Sequence, residues 1–386
     1  MSFQIGRVKG IGIRLHFTLI ITFFLIDWTL SAFFMPDYVK GLSSLDYWVM
    51  GTLGTGILFF SILLHELSHS VVAMKYNIPV KSITLFIFGG VSDIAKEPED
   101  FHQEFKMSIA GPLASFGIAG VSALFFWVLS SGNLDNAVYS VSKGILFYVA
   151  IANLALGAFN LIPAFPLDGG RVLRAAIVRW KKDYQYATRV ATSIGIMISY
   201  LFMAFGFLYF LRGDFIGGIW IILIGWFLHS GAQSYMSQFE LTNALRGVVA
   251  GNIMNTKIIS VGEDASMDFV LGNYFATSMK SELPVVDREG HLIGMVTLRE
   301  TLDVPEDRRR VTMVKNVMSL PDHLAVVLPD ADLEKALMEM MQKRVGKIFV
   351  CDGSRKLLGV ISKTDILELA GERQRYMQQV KRPVPP

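Results

Sequence analysis

The sequence predicts a multi-pass α-helical membrane protein of about six spans, carrying a small membrane-associated β-hairpin and followed by a C-terminal α+β module made of a tandem repeat. Three observations predict this. The 386-residue chain is 52% hydrophobic and only 18% charged, against about 45–50% and about 25% for soluble domains. The excess is uneven: residues 11–235 are dominated by long apolar runs, whereas residues 236–386 have an ordinary soluble composition. Beyond residue 250 one pattern occurs twice. The expected organisation is a membrane domain at 1–236, a linker at 237–250, repeats at 251–305 and 316–371, and a flexible tail at 372–386.

A spanning helix needs about 20 mostly apolar residues. The stretches that meet this are Ile11–Phe34, Trp48–Lys75, Phe105–Ser130, Tyr139–Ile162, Arg189–Leu211 and Phe215–Tyr235. Positive charge precedes the first stretch, but no small-residue cleavage site follows it and further apolar stretches do. It therefore reads as a retained span. Arg7, Lys9, Arg14, Lys75, Lys81, Lys96, Lys106, Arg171, Arg174, Arg179, Lys181 and Lys182 fall on one side of the spans. Lys40, Lys143 and Arg212 fall on the other. The positive-inside rule puts both termini in the cytoplasm, and the short loops fit a prokaryotic plasma membrane.

Between the second and third spans, Pro79–Ile94 is too short to cross as a helix. It is β-branched and alternating, with a turn signal at Phe88-Gly89-Gly90. A hairpin or short sheet dipping into the cytoplasmic side is expected. Such backbone is tolerated at membrane depth only where protein or a wet cavity satisfies it.

In the C-terminal half, Leu283–Leu302 and Ile348–Leu367 share a register that pairs Asp287 with Asp352, Leu292 with Leu357, Gly294 with Gly359 and Leu302 with Leu367. Ahead of them lie Ile253-Met254 and Val317-Met318, and a helical stretch in each unit (Ala265–Ala276 and Ala331–Lys343). Each unit reads strand, helix, two strands, helix. Gln374–Pro386 is basic and proline-ended, which suits a mobile tail.

Composition also excludes. The single cysteine, Cys351, rules out an intrachain disulfide and a cysteine-based metal site. A net charge of +3 with scattered positive residues gives no sign of nucleic-acid binding.

The chemistry lies inside the apolar half. His65-Glu66-Leu67-Ser68-His69 sits within the second span. Residues i and i+4 share a helix face, so both imidazoles reach one metal, and Glu66 stands beside it to take a proton from water. Two histidines and a glutamate are expensive in lipid and mark function; the competing reading is hydrogen bonding within a helix bundle. A catalytic zinc takes three protein ligands and an open position. Asp168, in Asn160-Leu-Ile-Pro163-Ala-Phe-Pro166-Leu167-Asp168-Gly169-Gly170, is the best third ligand. The prolines break the fourth span there and the glycines allow close backbone approach. Asp168 as a helix cap is the alternative. Asn160 has two readings, a substrate or oxyanion contact and a cap on the broken helix. Ala110-Gly111-Pro112 and Gly117-x-x-Gly120 read as close helix packing. His16, His102, His229, His291 and His323 have no partner at metal spacing.

Together these residues resemble the site-2 protease family of intramembrane metalloproteases, which pairs H-E-x-x-H in one span with an Asn…Pro…Leu-Asp-Gly segment in a later one. Here these are His65-Glu66-Leu67-Ser68-His69 and Asn160…Pro163…Pro166-Leu167-Asp168-Gly169. One branch of that family ends in a CBS pair, and Gly251–Gly371 looks like one. The resemblance implies one zinc per chain on His65, His69 and Asp168, with Glu66 as general base. It implies regulated cleavage of peptide bonds in or near the spans of other membrane proteins, within the lipid bilayer. Chemically, a helical substrate must unwind to expose its carbonyls, and strand addition to the Val80–Ile94 hairpin is one way to hold it extended.

In CBS modules the pattern Gly-h-h-Ser/Thr-x-x-Asp places its polar residues on an adenine nucleotide. Gly359-Val-Ile-Ser362-Lys-Thr364-Asp365 fits it. Gly294-Met-Val-Thr297-Leu-Arg-Glu300 departs, with Glu for Asp. Thr297, Ser362 and Asp365 are the candidate contacts to ATP, ADP or AMP, and a CBS pair can also serve as a homodimer interface. Two other readings compete: a CBS-containing ion transporter, and a metal-binding membrane protein without proteolytic activity.

Overall fold

The computed structural model describes residues 2–87, 89–94, 98, 100–132, 136–277, 281–319 and 324–380. The chain forms two units, Met1–Met236 and Ser237–Pro386.

Among the described residues, six helices are long and apolar enough to cross a membrane: Thr18–Tyr38, Ser44–Lys75, Phe101–Ser130, Ala137–Asn160, Tyr184–Leu211 and Phe215–Leu245, the last of which continues past the end of the first unit. The first span starts later than its hydropathy suggests. Ile11–His16 is a strand, β2, paired antiparallel with β1 (Ser2–Val8). The physical reason is period two: Ile11 and Ile13 point inward, 0% and 3% exposed, and Lys9 and Gly10 take positive φ to make the turn. The other spans begin near the predicted residues, with caps that hydropathy does not register. Ser43 and Asp46 form a capping box ahead of the second span. Asp100, Asn136 and Asp183 cap the third, fourth and fifth.

The expected hairpin is half of a larger sheet. β3 (Val80–Phe86) and β4 (Gly89–Ile94) pair antiparallel, and β3 also pairs parallel with β2, giving the order β1-β2-β3-β4. Of the predicted turn residues, Phe88 lies outside the described residues. Ile11, Ile13, Ile83 and Leu85 join Ala73, Ile78 and Met107 in one apolar cluster, which seats the sheet on the second and third spans. β4 is an edge strand.

Among the described residues the second unit contains two three-stranded sheets. One is β5-β6-β7 (Val261–Gly262, Glu282–Val286, Leu292–Thr297). The other has the order β10-β9-β8 (Leu357–Ser362, Lys347–Cys351, Val326–Val327). Each repeat's lead-in docks on the other repeat's sheet region: Asn255 bridges Val360, and Ser319 bridges Met295. This explains the matched glycines and methionines. A Cβ on Gly359 would lie 2.5 Å from Met254 Sδ, and one on Gly294 would lie 2.5 Å from Met318 Sδ. The glycine of each repeat makes room for the methionine ahead of the other repeat. Burial pushes the Cys351 thiol up to about 11.

Two boundaries differ from expectation. The linker at 237–250 is helical to Leu245, because Leu241, Ala244 and Leu245 pack with Leu333, Ala336 and Ile366 in this unit's core. The tail at 372–386 is helical as far as Val380, where Arg373 Nη1 reaches back to donate to Ala244 O at 2.9 Å. Residues 381–386 lie outside the described residues.

Candidate metal centre

The second span brings His65 and His69 to one face, as the i, i+4 spacing requires. Their rings lie 4.9 Å apart, centre to centre. Asp168 arrives as the first residue of a short amphipathic helix, Asp168–Lys181, after the proline-broken loop. Gly169 and Gly170 let that helix start against the loop. A Cβ on Gly169 would stand 2.3 Å from the carbonyl oxygens of Leu161 and Ile162, and one on Gly170 would stand 2.5 Å from Phe165 N.

His65 Nε2 and His69 Nε2 lie 3.2 and 3.1 Å from Asp168 Oδ2. Two ligand atoms on a tetrahedral zinc, with bonds of about 2.0–2.1 Å, stand roughly 3.3 Å apart, so the donor spacing suits that ion. The third span supplies the fit. A Cβ on Gly111 would fall 2.2 Å from His69 Nε2 and 2.5 Å from His65 Nε2. The missing side chain leaves a gap of bonding size beside both nitrogens. The third span also orients the rings: His69 Nδ1 lies 2.6 Å from Met107 O and His65 Nδ1 lies 2.9 Å from Ser115 Oγ. A carbonyl only accepts, so His69 carries its proton on Nδ1 and turns the Nε2 lone pair inward.

Glu66 points toward the sheet. Ser92 Oγ of β4 donates to Glu66 Oε2 at 2.9 Å. A Cβ on Gly90 would lie 2.4 Å from Glu66 Cγ, so Gly90 is what lets β4 lie against this residue. Ser115, Met107 and Ser92 carry no signal in the sequence, and Gly90 reads there only as a turn residue. Gly111 carried a signal, a glycine beside a proline inside a span, but it reads there as helix packing. Gly117 and Gly120 do not make the close packing expected of them, since a Cβ on either meets nothing within 4 Å.

Residues 54–203 match the model of peptidase family M50, and residues 250–307 and 313–372 each match the CBS domain. A zinc metalloprotease of Methanocaldococcus jannaschii is 32% identical over 371 residues, covering 95% of both proteins. The Mycobacterium tuberculosis protein Rip3 is 30% identical over 370 residues, 95% of this chain and 92% of that protein. The chain belongs to peptidase family M50. A solved site-2 protease from Methanocaldococcus jannaschii shares 33% identity over 61% of this chain and 94% of its own, with a TM-score of 0.41.

This M50 protein is therefore a multi-pass membrane metalloendopeptidase with tandem CBS domains. Family membership sets aside the transporter reading and the non-proteolytic metal-binding reading. The remaining candidate residues have local partners. Asn160 ends the fourth span and its Nδ2 donates to Leu156 O at 2.9 Å, a bond within its own helix. In the CBS repeats the candidate residues are occupied as helix caps. Thr297 and Glu300 form a capping box. Ser362 N donates to Asp365 Oδ2 at 2.8 Å, and Asp365 N donates to Ser362 Oγ at 3.1 Å. Asp365 also lines a cleft of about 280 Å³ with Ile253, Asn255, Glu368, Leu369 and Glu372. His291, expected to have no partner at metal spacing, lies 2.9 Å from Asp287 Oδ2 and 3.6 Å from Glu289 Oε2, ligand atoms close enough together for a metal ion. His323 lies outside the described residues.

Proposed function

We propose that the protein is an intramembrane zinc endopeptidase in which His65, His69 and Asp168 hold the metal and Glu66 is the general base. Its substrates would be other membrane proteins, cut in or near their spans. The observation that carries this is the meeting of two inward-turned Nε2 atoms with one Asp168 oxygen beside the Gly111 gap. A zinc ion in that place would supply Lewis acidity and bring the pKa of its bound water down toward neutrality. Glu66 takes the proton from the attacking water on its carboxylate and passes it to the departing amine. Ser92 holds one Glu66 oxygen and leaves the other for that exchange.

The substrate must present an extended carbonyl. β4 is an edge strand fixed against Glu66 through Ser92 and Gly90. A substrate segment added along its edge would gain main-chain hydrogen bonds and lie beside the base. The Lys and Arg distribution supports a cytoplasmic placement of both termini. Adenine nucleotide at the second CBS repeat is supported by Asp365 at the cleft and by the Ser362-x-x-Asp365 pattern; the acidic lining of Glu368 and Glu372 favours a metal-chelated form.

The test is co-expression with candidate single-span proteins, comparing wild type with Glu66→Gln. The variant should keep its zinc and lose cleavage. Wild-type cleavage by Glu66→Gln refutes the assignment.

A further inference from the structure

A buried ion pair joins two of the helices that build the metal centre and is used by none of the chemistry above. Arg174 and Glu104 are each 2% exposed. Arg174 Nε donates to Glu104 Oε1 at 2.6 Å, and its Nη2 contacts the same oxygen. Nη1 donates to the hydroxyl of Tyr235. The guanidinium is ringed by aromatics, 5.2 Å from the centre of Phe165, 4.7 Å from Tyr184 and 5.5 Å from Tyr235.

The placement of this pair is informative. Arg174 belongs to the short helix that begins at Asp168, roughly 9 Å along its axis. Phe165 belongs to the loop that delivers Asp168. Glu104 lies in the third span, whose buried face then carries Met107, Gly111 and Ser115. Those are the acceptor for His69, the gap beside both imidazoles, and the partner of His65. The ion pair thus joins the element holding the third ligand to the element that orients the first two.

A buried pair is weak evidence for stability, because apolar packing of equal volume often does as well. Its value lies in direction. The guanidinium fork fixes two helices at one distance and angle, while Asp168 at the helix start depends on that helix for its position. We propose that Glu104 and Arg174 are positioning residues that set the Asp168 carboxylate against the two imidazoles. The proposal rests on the ligand set given above.

The experiment uses the full chain, purified in detergent, with zinc affinity measured by competition against a chromophoric chelator. Cleavage and melting temperature are measured in parallel. His69→Ala tests the ligand set independently and should abolish tight zinc binding; retention there would refute the ligand assignment. The double variant Glu104→Gln/Arg174→Met removes both charges together and leaves no lone buried ion. It should fold, bind zinc roughly 10–100-fold more weakly, and lose kcat with KM little changed. Arg174→Lys keeps the charge without the fork and should be intermediate in zinc affinity. A folded variant of either kind with wild-type zinc affinity and kcat overturns the proposal. Failure of both variants to fold also overturns it, since the pair is then a folding element.

Discussion

Adding one methyl group at Gly111 is the sharpest perturbation of the centre. In Gly111→Ala the new carbon would stand 2.2 Å from His69 Nε2, 2.5 Å from His65 Nε2 and 2.6 Å from His69 Cε1. Non-bonded heavy atoms settle at about 3.5 Å, so the His69 ring must retreat by roughly 1.3 Å. A zinc site tolerates about 0.2 Å in its bond lengths. The rings cannot easily give way, because their Nδ1 atoms are held at 2.6 Å by Met107 O and at 2.9 Å by Ser115 Oγ, on the helix that carries the methyl. Helix formation is not at risk, since alanine favours a helix over glycine by about 0.8–1.0 kcal/mol. The expected result is a folded protein with less than about a tenth of a zinc per chain and cleavage reduced by at least about 10², the loss that a 1 Å misplacement brings. Metal content by atomic absorption, circular dichroism and cleavage of a single-span reporter measure the three quantities. Gly117→Ala is the control on the same helix, where the methyl meets nothing within 4 Å. Wild-type zinc content and activity in Gly111→Ala would refute the proposed coordination.

Strand addition to β4 predicts an alternation in the substrate. N-methylation of backbone amides on every second residue around the scissile bond should lower kcat/KM by roughly 2–10-fold per lost bond in one phase and spare the other; equal effects in both phases speak against it. In the second CBS repeat, Ser362→Ala removes a helix cap and should lower stability by about 0.5–2 kcal/mol, with or without nucleotide, measured by thermal melting of the full chain. Calorimetric titration of wild type with ATP, ADP and AMP should give heat that Asp365→Ala diminishes; no heat with any of them favours a structural module.

The spans were legible because a lipid-facing helix must be apolar along about 20 residues, a property of composition alone. The first span was misplaced because Ile11, Ile13 and Leu15 run on into the apolar helix after them, and only pairing with β1 and β3 makes Ile11–His16 a strand. The repeat was visible in sequence, but the reason for its matched glycines was not. Gly294 and Gly359 answer to methionines that the fold brings from the other repeat. The end of the sixth span at Leu245 was hidden for a similar reason. Its last turns are apolar on one side only and find their cover in the second unit's core.

For the metal centre, the sequence by itself determined the local chemistry. Spacing of four on a helix makes His65 and His69 neighbours, and Glu66 comes with them. It also offered Asp168, through the break that prolines and glycines impose. Tertiary structure alone decided what surrounds them. Met107 contributes only a backbone carbonyl, which any residue type would provide, and Gly111 contributes an absence, which is silent until its neighbours are known. Ser115, Ser92 and the Glu104–Arg174 pair act across distances along the chain that no local period encodes. Their roles come from helices and strands meeting in space, and the physical cause is the need of a buried polar group for a partner wherever the fold can bring one.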